Sequence, residues 1–426
     1  MTHTDDVREQ GTRESLWRHR DFRNLWAAQS ISDLGTAVTQ IALPLVAVLD
    51  LHLKALQLGL LASMSTLPAL IVGPFVGVIV DRVDRRRLMI RLDVGRAVLL
   101  VAVPAGAYWD VLSFEALVVV GAGLAVMNQL FDVASQAYLP QIVPARQLAD
   151  ANGKAQATGS VAYISGPGLG GWLAGLIGAA NALTVDIASF VCSALLLRRI
   201  RSAEPRPENR DERLRDRQVL RSFWSETVAG FRVLWRDRTV RSFTLSYASL
   251  TLFARIQTAI LFLFLIQNAG LSSSAIGLVL TLSGVSSFLA ATMVGRLDRR
   301  LGTGPVVVIG QLVVVGAAAV LAAVSGPHLQ AGVLLLVAES MFVIGTTLYG
   351  VASRTVFQTR IDDRQRGRVL GSSQFLMSLM IVIAGALGGA LGDLVGLRTV
   401  LIIGAAGMLC TVPLILRPIV WHHTVD

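Results

Sequence analysis

Charge is scarce in this 426-residue chain: Asp, Glu, Lys and Arg make up 15% of it, against 53% apolar residues. So little charge cannot clothe a water-soluble domain, where about a quarter of residues are charged, and this excludes an ordinary soluble protein. Lysine is almost missing, with only Lys54 and Lys154, so the net charge of +10 is carried by arginine. The two cysteines, Cys192 and Cys410, both fall inside apolar runs, which argues against a disulfide scaffold and gives no indication of redox chemistry. The stretch 1–22 is too polar for a signal peptide. Thr2 stands where myristoylation needs glycine, and the C-terminus has no cysteine to lipidate. Membrane insertion is therefore expected from the interior of the chain.

What the chain has is apolar length, with a mean hydropathy of +0.61. A bilayer core about 30 Å thick needs about 20 apolar residues as a helix, because every backbone polar group must be paired internally. Twelve such runs are predicted: 23–50, 56–80, 90–108, 113–137, 154–178, 182–200, 240–267, 274–294, 305–324, 331–353, 371–393 and 397–417. Alternate connections are rich in arginine (Arg82, Arg85, Arg86, Arg87, Arg146, Arg296, Arg299, Arg300, Arg354, Arg360, Arg364, Arg366 and Arg368). The others hold Lys54, with Arg398 at a border. The positive side is the cytoplasmic side, so the chain is expected in the cell (inner or plasma) membrane with both termini cytoplasmic. Basic residues spread over every inner loop also argue against a nucleic-acid surface.

Residues 1–22 are expected as a cytoplasmic tail, 23–200 as a six-helix bundle, 201–239 as a cytoplasmic linker, 240–417 as a second bundle and 418–426 as a tail. In the linker, Trp224, Val228, Phe231 and Trp235 recur at helical spacing, which predicts an amphipathic helix on the inner membrane surface, most simply a brace. The two bundles are related by an internal repeat at an offset of 218 along the sequence. Trp17-Arg18 falls on Trp235-Arg236, Val133-Ala134-Ser135 on Val351-Ala352-Ser353, Leu169-Gly170-Gly171 with Gly178 on Leu387-Gly388-Gly389 with Gly396, and Cys192 on Cys410. Two parallel repeats of this kind leave a cavity between them.

Three motifs add chemistry. Between the second and third runs stands Gly77-Val78-Ile79-Val80-Asp81-Arg82-Val83-Asp84-Arg85-Arg86-Arg87. Plain positive-inside anchoring explains its arginines but not Asp81 or Asp84. In the fifth run, Gly166-Pro167-Gly168-Leu169-Gly170-Gly171 lies mid-membrane with no strand before it, which argues against a dinucleotide site. Small residues at this spacing let helices approach closely, and Pro167 permits a bend. Val185-Asp186-Ile187-Ala188-Ser189-Phe190 and Arg366-Gly367-Arg368-Val369 are the remaining distinctive stretches.

On these motifs, from about residue 16 to 417, the chain resembles the major facilitator superfamily. Gly77, Asp81, Arg82, Arg85 and Arg86 match its cytoplasmic loop signature, with Asp84 where most members have glycine. Gly166, Pro167, Gly170 and Gly171 resemble the antiporter signature of its exporters, and the last two stretches resemble the macrolide efflux and enterobactin exporter branch. The resemblance implies an all-α membrane protein of twelve transmembrane helices in two pseudo-symmetric halves, working by alternating access. It also implies a gating relay from Asp81 through Arg85 to Asp132 in the fourth run, with Asp81 facing the N-terminus of the eleventh helix. The fourth run lacks the arginine that many proton-coupled drug antiporters carry there, so coupling is expected to be routed differently.

Polar residues inside the membrane need a reason, since a charge at the bilayer centre costs about 2.5–3.5 kcal/mol on insertion scales. On the first helix Gln29, Asp33, Thr36 and Gln40 form one stripe; on the seventh, Tyr247, Thr251, Arg255 and Thr258 form another, three of whose members lie 218 residues after Gln29, Asp33 and Gln40. Both are expected to face one water-filled space, with hydrogen bonding between packed helices as the alternative. Asn128 and Glu339 join this set. Asp33, alternately exposed and paired with Arg255, is the first candidate for carrying protons, and Glu339 the reserve; a plain structural pair with Arg255 is the alternative for each.

The expected function is export of small amphiphilic molecules, of drug, macrolide or siderophore type, in exchange for protons. The alternatives are an importer or facilitator of a metabolite, and a membrane sensor or scaffold without flux. The expected partners are the lipid bilayer, one small-molecule substrate and protons, the chain acting as a monomer. No cofactor, metal site or catalytic set is expected.

Overall fold

The computed structural model describes residues 16–201, 215–236, 238–360 and 363–416, and these are almost wholly helical. The long helices are α1 (Arg20–Leu49), α2 (Ala55–Asp81), α3 (Arg85–Tyr108), α4 (Phe114–Ile142) and α5 (Leu148–Ile177). A short α6 (Ala179–Ala182) leads into α7 (Thr184–Arg198). After the linker come α8 (Arg215–Arg236), α9 (Arg238–Gln267), α10 (Ser273–Leu301), α11 (Thr303–Ala322), α12 (His328–Arg360), α13 (Asp363–Val395) and α14 (Leu397–Thr411). Stretch 202–214 of the expected linker, 1–15 of the first tail and the whole of the second tail lie outside the described residues.

Most helices overrun the apolar stretches that predict them. The overrun is largest at the arginine-rich end, as in α12 and α13, because a helix keeps its backbone bonds after it leaves the hydrocarbon. Local signals set the ends. Asp84 caps α3 by accepting from the Arg87 N–H at 2.8 Å. Ser113 caps α4 by accepting from the Ala116 N–H at 3.2 Å. Gly178 ends α5 at φ 89° and Gly396 ends α13 at φ 87°, conformations open to glycine and strained for other residues. These two glycines occupy equivalent positions of the repeat.

Among the described residues ten helices are long and apolar enough to cross a membrane. Of the twelve predicted runs, those of α3 and α5 fall short. The body of α3 carries Arg91, Asp93 and Arg96, and α5 is rich in Gly and Ala, with polar residues such as Asn152, Lys154 and Gln156 in its first half. α1 packs on α5 and α7, α3 on α4 and α7, and α2 on α4. In the second half of the chain α9 packs on α13 and α14, α11 on α12 and α14, and α10 on α12. These pairings match one to one at the repeat offset. Two further seams join the sets, α2 on α13 and α5 on α10.

α8 lies against α13, α2 and α9. Its Gly230 sits over the Arg368 carbonyl, and Ser372 of α13 donates to the Thr227 carbonyl (2.9 Å), contacts suited to a brace.

Candidate functional site

A cavity of about 440 Å³ opens between α1, α2, α4 and α9. Thr36 and Gln40 reach it from α1, Ser65 and Thr66 from α2, Asn128 from α4 and Thr258 from α9; Leu43, Pro44, Leu61 and Phe262 supply apolar wall. Its volume lies within the range of pockets for drug-sized ligands. No ionised side chain is among the residues that line it. The two predicted stripes thus meet in part, through Thr36 and Gln40 on one side and Thr258 on the other.

The remaining stripe members divide. Gln29 donates from Nε2 to Ser135 Oγ of α4, and the Thr251 hydroxyl contacts Met377 Sδ of α13 at 3.6 Å, so both tie helices together. Tyr247 stacks on Tyr349 of α12, with ring centroids 5.6 Å apart. Asp33 and Arg255 are both exposed. Among the described residues no ion pair joins these two, and the guanidinium within electrostatic reach of Asp33 is that of Arg96 on α3. A helical stripe fixes the face a residue occupies, not its partner on another helix.

Arg96 is the centre of a buried charge cluster. It is 2% exposed and Asp93 is 0% exposed. Arg96 donates from Nη1 to Asn128 Oδ1 (2.8 Å) and from Nη2 to Asp93 Oδ1. Its guanidinium lies 4.2 Å from the centre of the Phe131 ring and 4.4 Å from that of Phe190. Buried Asp186 of α7, also within electrostatic reach of Arg96, accepts from Thr39 Oγ1 (2.5 Å) and Ser189 Oγ (2.8 Å). Gly35 makes room for this corner, since a Cβ there would overlap Ser189 Oγ and Asp186 Oδ1. Exposed Asp132 acts electrostatically on both Arg96 and Asp33. One guanidinium therefore bonds to one carboxylate, Asp93, and lies within electrostatic reach of three more, Asp33, Asp132 and Asp186. Asn128 and Thr39 line the cavity as well as bonding to this cluster, which connects the two. Sequence reasoning missed Asp93 and Arg96; the available signal was an acid and a base three residues apart within an apolar run.

Glu339 is also placed differently from expectation. It is half-buried in a separate cavity of about 60 Å³ between α9, α11 and α12, with Ala254, Gln257, Ala317 and Phe342. Thr258 lines both cavities and forms the wall between them. Among the described residues no ion pair joins Glu339 to Arg255, and no charge of Arg255 acts on it.

At the arginine-rich end, Arg85 Nη2 bonds to Asp81 Oδ1 at 2.9 Å. Arg86 donates to the Leu197 and Arg198 carbonyls (2.9 and 2.6 Å), capping the end of α7. Arg82 is half-buried beside them. Gly77 is exposed and a Cβ there would meet nothing within 4 Å. Asp132, expected in a relay with these residues, sits with Asp33 and Arg96. The glycine motif divides between two neighbours. Gly166 and Gly170 lie against Ala37 and Val38 of α1, while a Cβ on Gly171 would come 2.6 Å from Gly277 Cα of α10. Pro167 contributes its carbonyl to the same seam, 2.6 Å from where a Cβ of Gly277 would stand.

A multi-pass helical bundle with a ligand-sized cavity and buried charge beside it defines a membrane transporter. The profile of the Major Facilitator Superfamily matches residues 25–385, with a second match over 243–423, and the chain belongs to that family. Its members are transporters, not enzymes. The chain is 27% identical over 383 residues to the "Multidrug efflux pump Tap" of Mycolicibacterium fortuitum, covering 85% of this chain and 87% of that protein. It is 25% identical over 186 residues to "Macrolide efflux protein A" of Streptococcus pyogenes, covering 42% and 44%. Among solved structures, the nucleoside transporter NupG (D323A mutant) superposes with a TM-score of 0.74 at 13% identity, covering 93% and 98% of the two chains. A bacterial homologue of the iron transporter ferroportin superposes at 0.73 in its inward-facing state (17% identity; 95% and 99% covered) and at 0.56 in its outward-facing state (18%; 93% and 98%).

Proposed function

We propose that the chain is an exporter of small amphiphilic molecules, with twelve transmembrane helices in two six-helix bundles, driven by proton antiport through alternating access. The observation that carries the reading is the 440 Å³ cavity, walled by both halves of the chain and bonded through Asn128 and Thr39 to the Arg96 cluster. Hydroxyl and carboxamide groups on an otherwise apolar wall suit an amphiphile with a few hydrogen-bonding groups. The matching helix pairings and the paired glycines Gly178 and Gly396 at positive φ support two homologous halves, and the arginine asymmetry supports cytoplasmic termini in the cell membrane.

Export is supported by the names of the two efflux relatives and by the Pro167 motif, which has only Gly388-Gly389 at its repeat position. Proton coupling is supported by the charge count: four carboxyl groups around one guanidinium, two of them exposed, leave room for a proton to be taken up and released. Asp33 remains the first candidate, within reach of Arg96, and Glu339 the second. A binding event that engages Asn128 or Thr39 competes with the bonds these residues make to the cluster, which links occupancy to charge.

The test is reconstitution in liposomes with a panel of neutral and cationic amphiphiles, macrolides included, under an imposed pH gradient of either polarity. Movement of a probe against its own gradient, in the direction opposite to proton flow, is expected. Accumulation in the same direction as protons would favour an importer. No flux with any probe under either polarity would favour a sensor or scaffold.

A further inference from the structure

The two seams between the halves are equivalent in the repeat but are bonded differently: Ser63 of α2 donates to the Val382 carbonyl of α13 at 2.7 Å, whereas its repeat counterpart Thr281 makes no bond across the second seam, and the helix starts differ as well. In the first, Gly59 of α2 lies against Gly385 and Gly389 of α13; in the second, Gly277 of α10 lies against Pro167 and Gly171 of α5. Each residue of the first contact maps onto the second at the offset of 218. Both contacts fall toward the arginine-poor end of the bundle.

The helix starts at these seams are satisfied in opposite ways. Before α10 stands Ser272, whose hydroxyl accepts from the Ala275 N–H at 3.3 Å, so the helix carries its own cap. The repeat position at the start of α2 is Lys54, whose ammonium has no acceptor to offer to the helix N–H groups. The Lys54 N–H is taken by Gln57 Oε1 (3.0 Å). The next two are taken from the other half of the chain: Asp393 of α13 accepts from the Ala55 N–H through Oδ1 (3.1 Å) and from the Leu56 N–H through Oδ2 (3.3 Å). At the repeat position of Asp393 stands Gly175, whose Cβ would overlap Ser274. One seam thus holds a cap donated in trans, while the other holds none.

We infer that Asp393 is a latch that positions the closed outer side of the transporter. When α2 and α13 separate, the α2 N-terminus loses its acceptor and the carboxylate loses the positive end of the helix dipole; when α5 and α10 separate, the Ser272 cap travels with α10. Outward opening therefore works against the α2–α13 seam, and the Gly171–Gly277 seam parts without a capping cost. The likeness to an inward-facing structure, 0.73 against 0.56 for the outward-facing state of the same protein, agrees with an outer side held shut. The inference rests on the proposed reading for which side is outer.

The test uses intact cells and a membrane-impermeant maleimide. The exposed Cys192 and Cys410 are first replaced by serine. Ala62→Cys then places a thiol in the cavity wall, reachable from outside only when the outer side opens. Asp393→Ala should raise its labelling rate about fivefold, the usual worth of a helix cap, and Asp393→Asn, which keeps one acceptor without the charge, by less. Lys54→Ser supplies α2 with its own cap. In the Asp393→Ala background it should restore thermal stability while labelling stays high. Return of labelling to the parent rate would show that Asp393 acts only as a cap and would overturn the latch, as would unchanged labelling in Asp393→Ala. Asn268→Cys, on the connection before α10, reports the side separately. It should label in every background, and if it is shielded the outer assignment fails and the latch with it. If it labels while Asp393→Ala changes nothing, the latch alone fails.

Discussion

Replacing Arg96 by leucine is the sharpest perturbation of the buried cluster. The substitution keeps an apolar side chain against Phe131 and Phe190 but leaves Asp93, wholly buried, without its cation. The Ser193 hydroxyl within hydrogen-bonding reach of Asp93 is neutral, so it cannot replace the charge of the lost guanidinium. Breaking a buried pair by removing one member costs about 3–5 kcal/mol, most of it the penalty of the stranded charge. At about 2 °C per kcal/mol for a large chain, melting in detergent should fall by roughly 6–10 °C. Adding Asp93→Asn removes the stranded charge and should recover more than half of that loss, leaving the deficit from Asn128 and the two ring contacts. The assay is thermal unfolding of the purified protein followed by size-exclusion recovery, on the two single variants and the double. Melting of Arg96→Leu indistinguishable from the parent, or a double variant no better than the single, would refute the argument that Arg96 is held there to balance Asp93.

Two other outcomes follow from the same structure. Gly171→Val puts side-chain atoms where Gly277 Cα lies 2.6 Å from a Cβ, so the α5–α10 seam must part; transport should fall at least tenfold with folded protein still recoverable, checked by flux per milligram of monodisperse protein. Asp81→Asn removes the carboxylate that bonds Arg85 at 2.9 Å, and should slow flux severalfold without changing the amount of folded protein, since the Asp81 side chain is 72% exposed and such a carboxylate adds little stability. Normal flux would reject the gating relay.

Much of the architecture was legible because membrane insertion leaves a coarse signal: apolar length, arginine asymmetry and a repeat visible at one offset. Thr36, Gln40 and Thr258 were found because a polar stripe on an apolar helix costs insertion energy unless it faces water or a partner helix. Asp93 and Arg96 were missed because the run from 90 to 108 still averages apolar despite its charges, and an average over a run does not show which charged side chains within it pair. Partners across helices were the least legible. Asp33 lies within electrostatic reach of Arg96 and is not paired with Arg255, and Glu339 shares a separate cavity with Thr258, because a face is a property of one helix and a contact belongs to two. Asp393 escaped notice for the same reason: its partners are backbone N–H groups in the opposite half of the chain, and what betrays the need is a lysine at a helix start.

Coupling is the central claim, and Asp33→Asn in liposomes tests it most directly. Asp33 is exposed, within reach of Arg96 and Asp132, where a carboxamide preserves shape and removes the proton-carrying group. With a macrolide or dye probe that the parent protein moves, the account predicts that Asp33→Asn loses uphill export driven by a pH gradient while probe binding and downhill exchange persist. Uphill export at the parent rate would contradict Asp33 as the proton carrier, and loss of binding together with transport would assign it to holding the charge cluster instead.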